Sequence, residues 1–222
     1  MKKVITVLVS LMSLILGVVL LTGCGNNEQF VDKNYQSGTK KVTSVKLAVR
    51  DRQVKVVPSP DQQIHIAYSE SNQEYYKIAV SAQHTLTMTA ATDKKWTDYF
   101  GRKAAANSRK IVLQVPDKQL STLKITTSDD SIQMEPLTVK AAVSLTNQGG
   151  NILLHKLTAG KTIDLKNKNG NITGSIVGGY DDYAITTAVK KGNNNLPASK
   201  KGGPKKLMVA NNNGNIAVEL LK

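Results

Sequence analysis

Cysteine, histidine and the bulky aromatics are all scarce in this 222-residue chain, which has one Cys, three His, one Trp and two Phe. The lone Cys24 closes no disulfide within the chain, so packing and strand ladders must hold any fold. Zinc sites draw their ligands from Cys or His pairs, and none occurs. His65, His84 and His155 stand far apart, each within or beside an apolar run, where a strand histidine is packed or solvated. No Gly-x-Ser-x-Gly elbow is present, and the calcium-binding repeat with aspartate after Gly-x-Gly is missing too. Acid is short as well, with 16 Asp and Glu against 30 Lys and Arg. Such an excess draws a protein toward polyanions: anionic lipid head groups, phosphate-containing wall polymers or nucleic acid.

What the chain does have begins at its start. Lys2 and Lys3 precede an almost unbroken apolar run from Val4 to Leu21, and Leu21-Thr22-Gly23-Cys24 ends in the only cysteine. This arrangement resembles a bacterial lipoprotein signal. The resemblance implies that the Cys24 thiol is lipidated and that cleavage leaves it as the new N-terminus, on the extracytoplasmic face of the cell membrane. The other reading of the run is an uncleaved span, since it lies near the roughly 18-residue length of a membrane helix. Small residues before a lone cysteine suit the signal better. Without Met1 to Gly23 the balance is 28 basic against 16 acidic residues, a net charge of +12.

Residues 24–41 are polar, with Gly and Asn and no apolar period, and are expected to be a flexible, lipid-anchored tether. From Val42 on, apolar and polar residues alternate, the period that turns one face of a strand inward. Val45/Leu47/Val49, Ile64/Ile66/Tyr68, Tyr76/Ile78/Val80, Leu86/Met88, Ile111/Leu113/Val115 and Leu123/Ile125 are such runs. No helical stripe competes with them, and residues 42–222 are expected to form one all-β domain.

An internal repeat organises the second half. Ile132, Ile152 and Ile172 fall 20 residues apart, after the turns Ser128-Asp129-Asp130, Gln148-Gly149-Gly150 and Lys168-Asn169-Gly170. Ile125, Leu145 and Leu165 precede them by seven residues each, and Ile185 extends that series. Val209 and Ile216, around Asn213-Gly214-Asn215, repeat the offset. An Asn-Gly turn between alternating runs suits an antiparallel meander or sandwich. A fixed period suits stacked coils in register, a β-solenoid or β-helix-like stack with Gly/Asn turns. The equal spacing favours the stack.

The strand Ile111 to Pro116, the following Leu123 to Ser128, and the Asn-Gly-Asn-Ile turns at Asn169 and Asn213 resemble a bacterial family of putative adhesins with β-strand repeats. The resemblance covers roughly Val42 to Leu221. It implies a β-solenoid-like domain at the cell envelope and brings no catalytic residues. The turn expected near Gly192 departs from the pattern, replaced by a long insertion.

That insertion, residues 190–206, carries Lys190, Lys191, Lys200, Lys201, Lys205 and Lys206 and no acid. Its composition predicts a mobile basic loop. It reads either as an electrostatic hook for anionic lipid or wall polymer or as a solvated insertion. The stretch Ala91 to Lys110 gathers Trp96, Tyr99, Arg102 and Lys103, which reads as a ligand-stacking surface or as a cap over an open end of the stack. A short helix is expected over Trp96 to Ala106. The acidic doublets Asp129-Asp130 and Asp181-Asp182 are the carboxylates a polysaccharide-cleaving solenoid or a calcium site would use. Both lie at turns, where aspartate binds its own backbone.

Three functions fit. The favoured one is a non-enzymatic envelope lipoprotein, an adhesin or binding module for an anionic polymer or a protein partner, with no cofactor, metal or specific nucleic acid. The others are a glycan-active enzyme and a structural spacer.

Overall fold

The computed structural model describes residues 28–93 and 104–222. Two 3₁₀ turns, Ala106–Arg109 and Tyr180–Asp182, are its helical elements, and the remaining regular structure is strand. The stack reading holds. Each central coil lays one strand in sheet B, turns a corner and lays a second in sheet A: β8 (Thr122–Thr127) then β9 (Ile132–Met134) and β10 (Leu137–Val139), β11 (Ala142–Asn147) then β12 (Ile152–Ala159), and β13 (Thr162–Asn169) then β14 (Ile172–Val177).

Neighbouring coils pair in parallel and in register, Ile125 beside Leu145 beside Leu165 in sheet B and Ile132 beside Ile152 beside Ile172 in sheet A. Alternate residues point inward, so these Val, Ile and Leu side chains meet between the sheets as one core; Ile125, Leu145, Leu165, Ile152 and Ile172 are all 0% exposed. At roughly 25 cal/mol per Å2 of buried apolar area, this continuous column is the main favourable term.

The corners show why the sequence spends Asn and Gly there. Asn171 donates its N–H to Asn151 Oδ1 at 2.8 Å, and Asn193 repeats the bond to Asn215 Oδ1 at 2.9 Å. Inside the corner, the buried amides of Asn147, Asn167 and Asn211 donate to the carbonyls of Asp130, Gly150 and Gly170 at 2.7, 3.0 and 2.9 Å. Gly170, Gly214 and Gly192 have φ of +119°, +130° and +136°, and a Cβ on each would meet a glycine carbonyl oxygen of the adjoining coil at 2.2 Å. Only glycine fits such a column. The turn thought missing near Gly192 is therefore present, and the insertion starts after it.

The coils do not stack in chain order. The last pair, β17 (Lys205–Asn213) and β18 (Ile216–Leu221), adds to β13 and β14, while β15 (Tyr183–Lys191) lies outside β17. Val209 thus sits beside Leu165, and Ile185 pairs with Leu207 instead of extending the Leu165 series. The expected place of Ile185 is wrong because β17 occupies it.

The other end is interleaved as well. β2 (Ser44–Ala48) and β3 (Gln53–Pro58) form a coil between β8/β9 and an outer pair, β6 (Thr85–Thr92) and β7 (Lys110–Val115). Three antiparallel strands close this end: β4 (His65–Glu70) on β7, β5 (Glu74–Val80) on β6 and β1 (Val31–Gln36) on β4.

β1 corrects the tether. Six residues expected to be flexible pair with β4 from Val31 beside Glu70 to Gln36 beside His65. Five of the six are exposed, so backbone pairing holds them without an apolar pattern. Upstream, the Glu28 carboxylate accepts from the Ser71 hydroxyl, and the Phe30 ring lies 5.8 Å from the Arg52 guanidinium carbon.

Candidate functional site

Inward alternation in sheet B puts the intervening residues on its outer face. Lys46, Lys77, Lys124, Lys166, Lys168, Lys190 and Lys206 are exposed there, and Asp164 is the one acid at an outward position of that sheet's described strands. Asp164 binds Lys166 at 2.9 Å. Lys46 and Lys124 stand side by side in neighbouring strands, within roughly 5 Å along the sheet. Like charges placed this way destabilise a sheet, and an anion laid across them relieves the repulsion.

The basic insertion is tied down, which corrects its expected mobility. Thr187 donates its N–H to Ala198 O and its hydroxyl to Pro197 O, each at 2.9 Å. Asn195 stands in for a strand on the β18 edge, its amide donating to Val218 O at 2.9 Å and accepting from Val218 N at 3.0 Å. Leu196 packs on the core. β16 (Ser199–Lys200) then pairs antiparallel with Ile185 and Thr186. Composition missed this because asparagine side chains supply the hydrogen bonds that close a sheet edge.

Of the predicted lysines, Lys190, Lys191, Lys201 and Lys206 are exposed. Lys200 is mostly covered: its Nζ donates to Tyr183 O at 3.0 Å, lies 3.9 Å from Asp181 and sits 4.8 Å from the Tyr180 ring centroid. Lys205 is half-buried, 5.5 Å from the Tyr183 ring. These two brace the fold. Trp96, Tyr99, Arg102, Lys103, most of the helix expected there, and Cys24 lie outside the described residues.

A feature that pattern reading missed is a cleft of about 610 Å3 beside the corner of β2 and β3. β2 ends at Ala48, whereas β6 runs on to Thr92 and β8 to Thr127, so the departing chain leaves a notch in sheet B. Its floor is a lock around Arg52, only 3% exposed. The guanidinium donates to Tyr76 Oη at 2.7 Å, Glu74 Oε2 at 2.5 Å, and the carbonyls of Asp51 and Arg50 at 3.2 and 3.4 Å. Burial disfavours the Arg52 charge, but Tyr76 and Glu74 more than offset this and hold its pKa above the ordinary value. Burial also pushes the Tyr76 phenol up. The stretch Val49 to Arg52, Tyr75 and Gln148 come from three distant parts of the chain, so no local motif announces the cleft.

The acidic doublets serve their turns. Asp182 Oδ2 accepts from Gly179 N at 2.8 Å. Asp130, at φ +69°, pairs with Arg109 and gives its carbonyl to Asn147. His65 binds Asp61 at 2.9 Å. Among the described residues no group of three His, Cys, Asp or Glu gathers as a metal site.

The model of the Toastrack DUF4097 family matches residues 42–178. The chain belongs to this family. The matched region holds β2 to β14 and the cleft, while β1 precedes it and β15 to β18 follow it. A crystal structure of a putative cell adhesion protein from Clostridium sporogenes shares the fold at a TM-score of 0.64 and 11% identity, over 86% of this chain and all of that one. A putative adhesin from Bacteroides fragilis aligns over 86% of this chain and 97% of its own at 13% identity, with a TM-score of 0.32. No curated protein matches.

Proposed function

We propose that this Toastrack chain is a non-enzymatic lipoprotein of the cell envelope, held to the membrane through Cys24, that binds an anionic envelope polymer across the outer face of sheet B. One observation carries the reading: a mostly parallel-stranded face with seven exposed lysines and a single outward carboxylate among the described residues, two of the lysines in direct register. A face of lysines spread over neighbouring strands suits an extended chain better than a compact ligand. The description of the Clostridium sporogenes structure as a putative cell adhesion protein agrees with a binding role.

Retention of the chain from Gly25 onward on immobilised poly(glycerol phosphate) tests it, beside Lys46→Gln/Lys124→Gln/Lys166→Gln. Wild type is expected to be held at low salt and released as screening shortens toward about 8 Å near 0.15 M. The triple variant elutes earlier, and it unfolds at slightly higher urea because the repulsion in register is gone. Equal elution of both proteins, or no retention at any salt, refutes the proposal.

A further inference from the structure

We infer that the cleft at the β2–β3 corner binds an acidic sugar unit, and so that the polymer proposed above is a polysaccharide; the inference rests on that reading. Its volume of about 610 Å3 falls in the range of small-ligand sites, about 300–1,000 Å3. The cleft opens at the edge of the lysine face, with Lys168 belonging to both.

Its chemistry separates a sugar from a bare polyanion. The side chains of Arg50, Gln148 and Lys168 are exposed and make no hydrogen bond or ion pair among the described residues. They supply two cations and an amide to a carboxylate and its neighbouring hydroxyls. The same cleft is lined by the carboxylate of Asp51, which accepts from the Ser128 hydroxyl at 2.9 Å and keeps its second oxygen as a further acceptor. A sugar hydroxyl donates to that acceptor, whereas a phosphate chain without hydroxyls has nothing to donate. The half-buried Tyr75 gives a ring for the apolar face of a pyranose, and Ala90 and Ala91 keep that wall low.

The floor is already built. Arg52 commits four of its five N–H donors to Tyr76, Glu74 and two carbonyls, so its chief part is to shape the cleft. Ligand binding then requires no reordering of the floor, which lowers the entropic cost of association.

The test compares oligogalacturonate with polyphosphate on the chain from Gly25 onward, using wild type, Tyr75→Ala, Tyr75→Phe and Gln148→Ala. Oligogalacturonate affinity is expected to fall at least tenfold in Tyr75→Ala and several-fold in Gln148→Ala. It should survive in Tyr75→Phe, which keeps the ring, while polyphosphate retention stays unchanged in all three. Polyphosphate binding with no preference for oligogalacturonate, or equal oligogalacturonate affinity in Tyr75→Ala, overturns the sugar site alone. Failure of wild type to hold either polymer overturns this inference together with the polyanion reading.

Discussion

Asn215 donates its backbone N–H to Asn171 Oδ1 at 2.8 Å across 44 residues of chain. The bond lies in a ladder that joins successive corners, so each member satisfies a backbone donor that the corner itself leaves over. Asn171→Ala is expected to cost about 0.5–1.5 kcal/mol, the net worth of one hydrogen bond whose donor stays open to water. Asn171→Asp keeps an acceptor oxygen and should cost less. Urea midpoints of the two variants, ranked in that order, check the ladder; equal midpoints refute it.

Arg52 and Glu74 lock the β2–β3 corner to the antiparallel end strand β5. Arg52→Met strips four hydrogen bonds from a buried site and leaves the Asp51 and Arg50 carbonyls short of a donor. A loss of about 3 kcal/mol or more is expected. The double variant with Glu74→Met should recover part of it, because the charge is removed with its partner. A double variant no more stable than Arg52→Met would show that the pair is not coupled.

Tyr183 makes stability sensitive to alkali. Its ring is 1% exposed, its hydroxyl donates to Val177 O at 2.9 Å, and burial first, then the Asp182 charge, pushes its pKa from 10.0 up to about 12. The folded pKa lies above the unfolded one, so this contribution is full below pH 10 and is lost as pH rises from 10 through about 12. Its size is on the order of 2 kcal/mol. Thermal unfolding between pH 9 and 12 should show the fall, and Tyr183→Phe should flatten that limb while lowering stability at neutral pH.

Much of the stack was legible because its physics is local and periodic. Leu145 beside Leu165 and Ile152 beside Ile172 follow from a 20-residue spacing that only stacked coils require. Ile185 was misplaced because nothing near it signals that β17, encoded later, pairs with β13. β1 escaped notice for the opposite reason: Val31 to Gln36 bury almost nothing, and backbone pairing leaves no mark on residue choice. The insertion after Gly192 looked mobile by composition, yet Asn194 and Asn195 use their amides as a strand would use its backbone. The lysine face could be counted but not assembled, since Lys46 and Lys124 meet only through pairing across 78 positions.

The position of β17 fixes the order in which the molecule can be finished. A chain emerging N-terminus first presents β15 before β17, yet β17 is β15's inner neighbour. Until Lys205 and the residues after it arrive, β13 lacks its native neighbour on that side and β15 has nothing native to rest upon. The stack therefore closes from within and late, through contacts distant in sequence, the kind that slow folding. Truncation ahead of Lys205 takes out an inner course of the wall and not its coping.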